Sequence, residues 1–300
     1  MTSISRRTLL GVGLGSSLLA ACSTPLRLSE MPIDRESGAR AEALMQHSAE
    51  VHGLAAYRQL HDINIAYEGQ WGLWVDRLQP LVVAKPWRGR SQERLMPALG
   101  INAQSYSGLA GNKFVRWQRS PAEGSTASGE VAVWFNGVPS VDPAVLGASA
   151  LVAEAYKLFL LGPLWLVDRK LTMRVHSTER VDGHFCDVVE VWLRPGLGQD
   201  LLDRLQVCIG RDDSVMRRVR FTLEGFEDTK GAVAVVDTFM HQRRFGVLWP
   251  MRSHEDVVYP LHLPAHDWHI SGLDVNRGYD ASALQGPAFS GAAAAPAAPL

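Results

Sequence analysis

DPAVLGASALVAEAYKLFLL, residues 142–161, is the one strongly apolar helical stretch in the chain, and it sits between two long blocks of strand-like sequence. Asp142 followed by Pro143 starts it: the carboxylate accepts first-turn N–H groups, and proline costs nothing at the first helical position. Val145, Ala148, Val152, Ala155 and Phe159 recur at spacings of three and four, flanked by Leu151 and Tyr156. Glu154 and Lys157 fall on the other side, so the pattern predicts one apolar and one wet face. Gly162 and Pro163 end the helix, glycine by accepting a left-handed cap and proline by refusing to continue it. Two readings follow: a core helix packed on a sheet, or a lid over an apolar hollow. In the second, Val145, Ala148, Val152, Ala155, Tyr156 and Phe159 form the ligand-facing side.

The blocks on either side read as strands. Ile63, Ile65 and Tyr67 alternate with Asn64, Ala66 and Glu68, the period of a half-buried strand. Residues 88–96, 103–106, 112–119 and 130–135 follow, the last ending at the tight-turn dipeptide Asn136-Gly137. Beyond the helix come 171–181 and 184–193 around Asp182-Gly183, then 205–209, 215–223, 232–240, 247–258 and 268–275. Residues 71–86 fit neither period cleanly, and 120–129 has the composition of a loop. Ahead of the strands, 40–52 reads as a helix closed by Gly53, with a shorter one over 54–60. About eleven strands in succession, joined by short turns, predict a mainly β, antiparallel meander.

The N-terminus carries an address. Ser5-Arg6-Arg7-Thr8-Leu9-Leu10 resembles a twin-arginine export motif, with leucine where that motif prefers phenylalanine. A short apolar run, GVGLGSSLLAA, leads to Leu19-Ala20-Ala21-Cys22, which resembles the lipobox of bacterial lipoproteins. The expected organisation is a signal peptide over 1–21, a lipidated tether over 22–38 anchored through Cys22, a folded domain over 39–285, and an unstructured Ala/Pro tail over 286–300. The acyl chains on such a cysteine, at about 0.8 kcal/mol per buried CH₂, hold a protein on a membrane without a spanning helix. Ser23 after the cysteine resembles an outer-membrane address, facing the periplasm.

Composition narrows the function. With 46% apolar and 20% charged residues in 300, the chain is globular. Net charge is −1, and losing Arg6 and Arg7 with residues 1–21 takes it to −3. No clustered Lys/Arg face is available to neutralise phosphates, so a nucleic-acid partner is not expected. With Cys22 lipidated, Cys186 and Cys208 remain, in a compartment that permits disulfides. Centred on Leu197, they would face each other in a symmetric hairpin, or stay free if the register is shifted.

The order of these features resembles the LolA/LolB lipoprotein-localisation superfamily: a lipoprotein-type N-terminus, a helix ending in His52-Gly53, an up-and-down run of strands, and one apolar helical insertion midway. The resemblance covers about residues 40–276 and implies an incompletely closed β-barrel with helices over its open side, enclosing a hollow for acyl chains or other lipids. The reading that follows is binding without catalysis or cofactor, with the membrane, through the lipid on Cys22, a lipid or acyl-chain ligand and another envelope protein as the expected partners. The nine tryptophans suit a wide apolar interior.

Two further groups carry chemistry. His262, His266 and His269, with His254, Asp256 and Asp267 close by, carry the donors zinc prefers and would suit a metal-dependent periplasmic hydrolase. Their spacing opposes it, because Pro260 and Pro264 break any helix and a strand would turn His266 and His269 to opposite sides. Arg217, on an otherwise apolar strand face, is a candidate headgroup contact or a partner for Asp187 or Asp237. No nucleophile elbow, His-Glu-x-x-His helix or phosphate loop occurs. A non-catalytic assembly lipoprotein holding a protein partner on the same surface is the remaining alternative.

Overall fold

A computed structural model describes residues 34–120, 129–287, 289, 294 and 295. The signal, Cys22 and all but the end of the expected tether lie outside the described residues, as do 121–128 of the expected loop.

Helix α1 (Arg35–His52) starts where Asp34 accepts the Glu36 N–H, so helix replaces the last four residues assigned to the tether. It closes at Gly53, whose φ of 95° suits glycine and whose hydrogen is all that fits: a Cβ there would lie 2.2 Å from the Gly246 carbonyl oxygen. After α2 (Leu54–Tyr57) comes β1 (Ile63–Trp71), and residues 71–86, ambiguous in sequence, form two short helices, α3 (Leu73–Leu78) and α4 (Pro80–Val83). Pro80 keeps them apart, serving as the first residue of α4 where it could not continue α3.

Strands β2 (Arg90–Met96), β3 (Ile101–Gly108), β4 (Gly111–Arg119), β5 (Gly129–Phe135) and the two-residue β6 (Val138–Pro139) lead to α5 (Pro143–Leu161) and α6 (Pro163–Leu166). The second block is β7 (Thr172–Val181), β8 (His184–Leu193), β9 (Asp203–Gly210), β10 (Met216–Thr222) and β11 (Val233–Phe239). A small separate ribbon, β12 (Gln242–Arg244) and β13 (Val247–Trp249), precedes β14 (Arg252–Tyr259) and β15 (Leu263–Val275). The single strand expected over 247–258 is therefore two. Val247–Trp249 turns back on β12 through Phe245 and Gly246, both at positive φ, and Pro250, which has no N–H to give, separates it from β14.

Thirteen strands form one antiparallel sheet in the order β6-β5-β4-β3-β2-β1-β15-β14-β11-β10-β9-β8-β7. The first and last long strands, β1 and β15, pair at its centre, while its two free edges, β6 and β7, are the strands that flank α5 and α6 in sequence. The sheet curls without closing, and α5 runs from one edge towards the other inside it. Helix α1 lies along the β7 edge, where Ser37 Oγ accepts the Val175 N–H at 3.1 Å and donates to the Val175 carbonyl at 3.3 Å. This is the incompletely closed barrel with helices at its opening.

Helix α5 departs from its expected two-faced character. Asp142 caps the Ala144 N–H at 2.9 Å, and Gly162 takes a positive φ, but every residue from Gly147 to Leu161 is buried. Trp117 and Val131 cover Ala150 and Ala153 on one side, Phe221 and Trp268 meet Phe159 on another, and Glu154 and Lys157 are buried as an ion pair. The helix is long and apolar enough to cross a membrane by length and composition, and the curled sheet takes the place of lipid around it.

The possible disulfide is not formed. Cys186 and Cys208 are free, because β8 and β9 pair Cys186 with Gly210 and Val188 with Cys208, two residues from the symmetric register. Their connection is a broad turn in which the Asp203 carboxylate accepts the Leu197 N–H at 2.7 Å, not a tight hairpin. The tail also departs from expectation at its described residues: Phe289 packs edge-on against Phe114, and the Ala295 carbonyl accepts the Leu273 N–H at 2.8 Å.

Candidate functional site

One face of α5 opens onto a cavity of about 320 Å³ with a mostly apolar wall. Val152, Ala155, Tyr156 and Phe159, on a helix that is buried from Gly147 to Leu161, form its helical side. Val145 instead packs towards Tyr106, Val115 and Val133, and Ala148 lies in the core away from the cavity. The inner face of the sheet contributes Glu255 and Val257 from β14 and Ala265 from β15. Helices α3 and α4 cover the mouth through Val75, Leu78 and Val82.

Those covering residues were missed in the sequence, although the spacing 75, 78, 82 is helical and carried the signal; the interruption at Pro80 obscured it. The rim is greasy: Leu78 is 57% exposed and Leu261, in the β14–β15 turn, 63%. Such residues together around a cavity mouth are a feature that needs a partner, unlike apolar residues scattered singly.

At the inner end an aromatic and polar cluster closes the cavity. The His266 ring stacks between Trp71 and Trp268, at 4.1 and 4.6 Å between centroids, and Trp268 lies 4.8 Å from Phe159. Arg88 Nη1 donates to Tyr156 Oη at 3.0 Å, its guanidinium 4.3 Å from the Tyr106 ring centroid. Tyr156 Oη lies 3.2 Å from His266 Nδ1. Burial, aided by the Arg88 charge, pushes His266 well below the ordinary imidazole range. The ring is therefore neutral, and the hydroxyl that accepts from Arg88 is placed to donate to Nδ1. Burial pushes Glu255 up to about 7.

The histidine trio is not brought together. His266 is buried on the inner face, His262 sits 3.3 Å from Asp256 in an exposed turn, and His269 lies 3.7 Å from Glu68 outside. His254 bridges Asp267 at 2.9 Å and Asp256 at 3.3 Å through its two nitrogens. The alternation of β15 turns His266 and His269 to opposite faces, so the trio forms no site; His254, Asp256, Asp267 and His262 adjoin one another on the outer face as histidine–carboxylate pairs. Among the described residues one group, half-buried His184 with exposed Asp212 and Asp213, brings three potential ligands close, and there Asp213 is already engaged by both terminal nitrogens of Arg217 at 2.8 and 2.6 Å. Arg217 is thus a clamp on the β9–β10 turn and not a headgroup contact in the cavity; a bulge between Met216 and Arg218 takes it out of register. Asp187 and Asp237 pair instead with Arg211 and Arg218.

No protein-family model and no curated protein matches the chain. Its fold is similar to that of a DUF1329 family protein from Desulfovibrio piger, at a TM-score of 0.50 and 11% identity over 83% of this chain and 99% of that one. Fainter likenesses are a putative outer membrane lipoprotein-sorting protein domain from Vibrio parahaemolyticus (TM-score 0.44, 10% identity, 83% and 97% covered) and a LolA superfamily protein from Nitrosomonas europaea (0.43, 10%, 82% and 97%). At this identity a shared fold says nothing of what is bound.

Proposed function

We propose that the protein binds the hydrocarbon part of a lipid or similar amphiphile in the cavity between α5 and the inner face of β14 and β15, without chemistry. The observation that carries this reading is the apolar cavity itself, roofed by two short helices and rimmed by exposed Leu78 and Leu261. Its volume of about 320 Å³ is at the lower end of the roughly 300–1,000 Å³ typical of small-molecule sites, which suits one chain better than a whole multi-chain lipid. Each buried CH₂ would contribute about 0.8 kcal/mol. Because α5 is enclosed, access falls to α3 and α4, and the exposed rim would lie against a lipid surface during exchange. Lipidation at Cys22 and a place on the cell envelope, as its sequence suggests, complete the reading.

The test is native mass spectrometry with organic extraction of the chain from Ser23 onward, purified without detergent, alongside titration with an apolar fluorescent probe. A co-purifying amphiphile, or saturable probe binding weakened by Leu78→Asp, is the expected result. A protein that carries no lipid and takes up no probe would overturn the proposal and leave the envelope-assembly role.

A further inference from the structure

Two cations hold one carboxylate beside a different face of α5, and a third lies close by. Glu154 is wholly buried and accepts from Arg119 Nε at 3.1 Å, from Arg119 Nη2, and from Lys157 Nζ at 2.8 Å. Arg169 joins them, donating through Nη2 to the carbonyls of Arg194 and Pro195 at 3.1 and 3.0 Å. Its Nη1 is buried and meets no acceptor among the described residues. All three side chains gather on one indole: Lys157 Nζ lies 4.6 Å from the Trp165 ring centroid, and the guanidinium carbons of Arg169 and Arg119 at 4.8 and 5.4 Å. Together they line a second hollow of about 360 Å³, separate from the apolar cavity, which opens beside residues 97–100. At its rim Arg58 and Asp168 pair and cancel.

The charges inside do not balance. Arg119, Lys157 and Arg169 face a single ionised partner, Glu154. The next carboxyl within electrostatic reach of Lys157 is Glu93, which burial pushes up to about 7. Burial, with the neighbouring Arg119 charge, pushes Arg169 down to about 9, and burial lowers Lys157 as well. Cations taken out of water without counter-charge are costly to bury, and a buried guanidinium N–H without an acceptor is a gap that an anion fills with a charge-assisted bond.

We propose that this hollow is a binding site for a phosphate-type oxyanion, held by Arg169 Nη1, Lys157 and Arg119 over the face of Trp165. Free phosphate and a lipid phosphate headgroup share that chemistry. Leu60, Met96 and Leu164 on the same wall leave room for an apolar body behind the anion. The proposal does not depend on the apolar cavity being filled.

The experiment is calorimetric titration of the full chain with inorganic phosphate and, separately, with dihexanoylphosphatidylglycerol kept below its micellar concentration, following Trp fluorescence in parallel. Saturable binding is expected, weakened at least tenfold in Arg169→Gln and unchanged in Arg180→Gln, an exposed arginine on β7 next to the β7–β8 turn. Binding of phosphate alone assigns the site to the free ion; binding of the lipid alone, or more tightly by tenfold, assigns it to a headgroup. Should Arg169→Gln fail to fold by circular dichroism, Arg169→Lys, which keeps the charge and loses the fork, is expected to weaken binding in its place. No saturable signal from either probe, or equal weakening in Arg180→Gln, would overturn the site.

Discussion

Phe159→Ala tests the cavity wall through two observables that move in opposite directions. The ring is 3% exposed and packs at 4.8 Å from Trp268, 5.3 Å from Tyr156 and 6.2 Å from Phe221 between centroids. Truncating a buried phenylalanine costs about 3–5 kcal/mol through lost transfer energy and the void left behind. Here one side of the ring already borders open space, so fewer dispersion contacts are lost and the expectation falls to about 3 kcal/mol. At roughly 2–4 °C per kcal/mol, that corresponds to a fall in Tm of about 6–12 °C. The space released by the ring joins the existing cavity, so a branched or ring-bearing apolar probe that the wild type excludes should now bind. Urea unfolding followed by tryptophan fluorescence reads the first effect, and probe titration on the folded variant reads the second. A loss below about 1 kcal/mol together with unchanged probe selectivity would falsify the placement of Phe159 between the aromatic core and an open cavity.

Two further outcomes are expected. Glu93 and Glu255 are both pushed up to about 7 by burial, so the folded chain holds protons that the unfolded chain releases near the ordinary value of 4.5. Their contribution is full below that ordinary value and is lost as pH rises through about 7; for Glu93 the loss is of order 3 kcal/mol. Glu154 works in the other sense: against burial, Lys157 and Arg119 hold it down to about 2, so its contribution is present at neutral pH and lost in strong acid. Urea midpoints at pH 5 and pH 8 should therefore differ less in Glu93→Gln than in the wild type, and an unchanged difference would remove Glu93 from the explanation. Cys186 and Cys208, both buried and with burial pushing each thiol up, should resist a thiol reagent in the folded chain from Ser23 and react fully in urea. An intact mass two hydrogens short would show that they are bridged after all.

Turn chemistry and strand alternation were legible because each is a local property. Asn136-Gly137 and Asp182-Gly183 all take positive φ, as a tight hairpin requires, and asparagine, aspartate and glycine tolerate it. The helix from Asp142 to Gly162 was readable for the same reason, since its cap and stop lie within a few residues of its ends. Four residues of the cavity wall, Val152, Ala155, Tyr156 and Phe159, followed from its spacing. Leu78, Val82 and Glu255 did not, since two helices of six and four residues carry too little period to identify and one carboxylate in a strand carries none.

By itself, then, the sequence determined an antiparallel meander interrupted by one apolar helix, because hydrogen-bonding pattern and side-chain period are set by neighbours along the chain. Tertiary structure alone decided that this helix is enclosed, that Glu154 and Lys157 are buried partners and not a wet face, and that His266 is sealed between two tryptophans while His262 faces solvent. It also decided the two-residue shift that parts Cys186 from Cys208. Each depends on how a curled sheet brings strands distant in sequence around one helix. Periodicity says which residues share a face, and only the surrounding strands fix whether that face meets water, a cavity or another side chain.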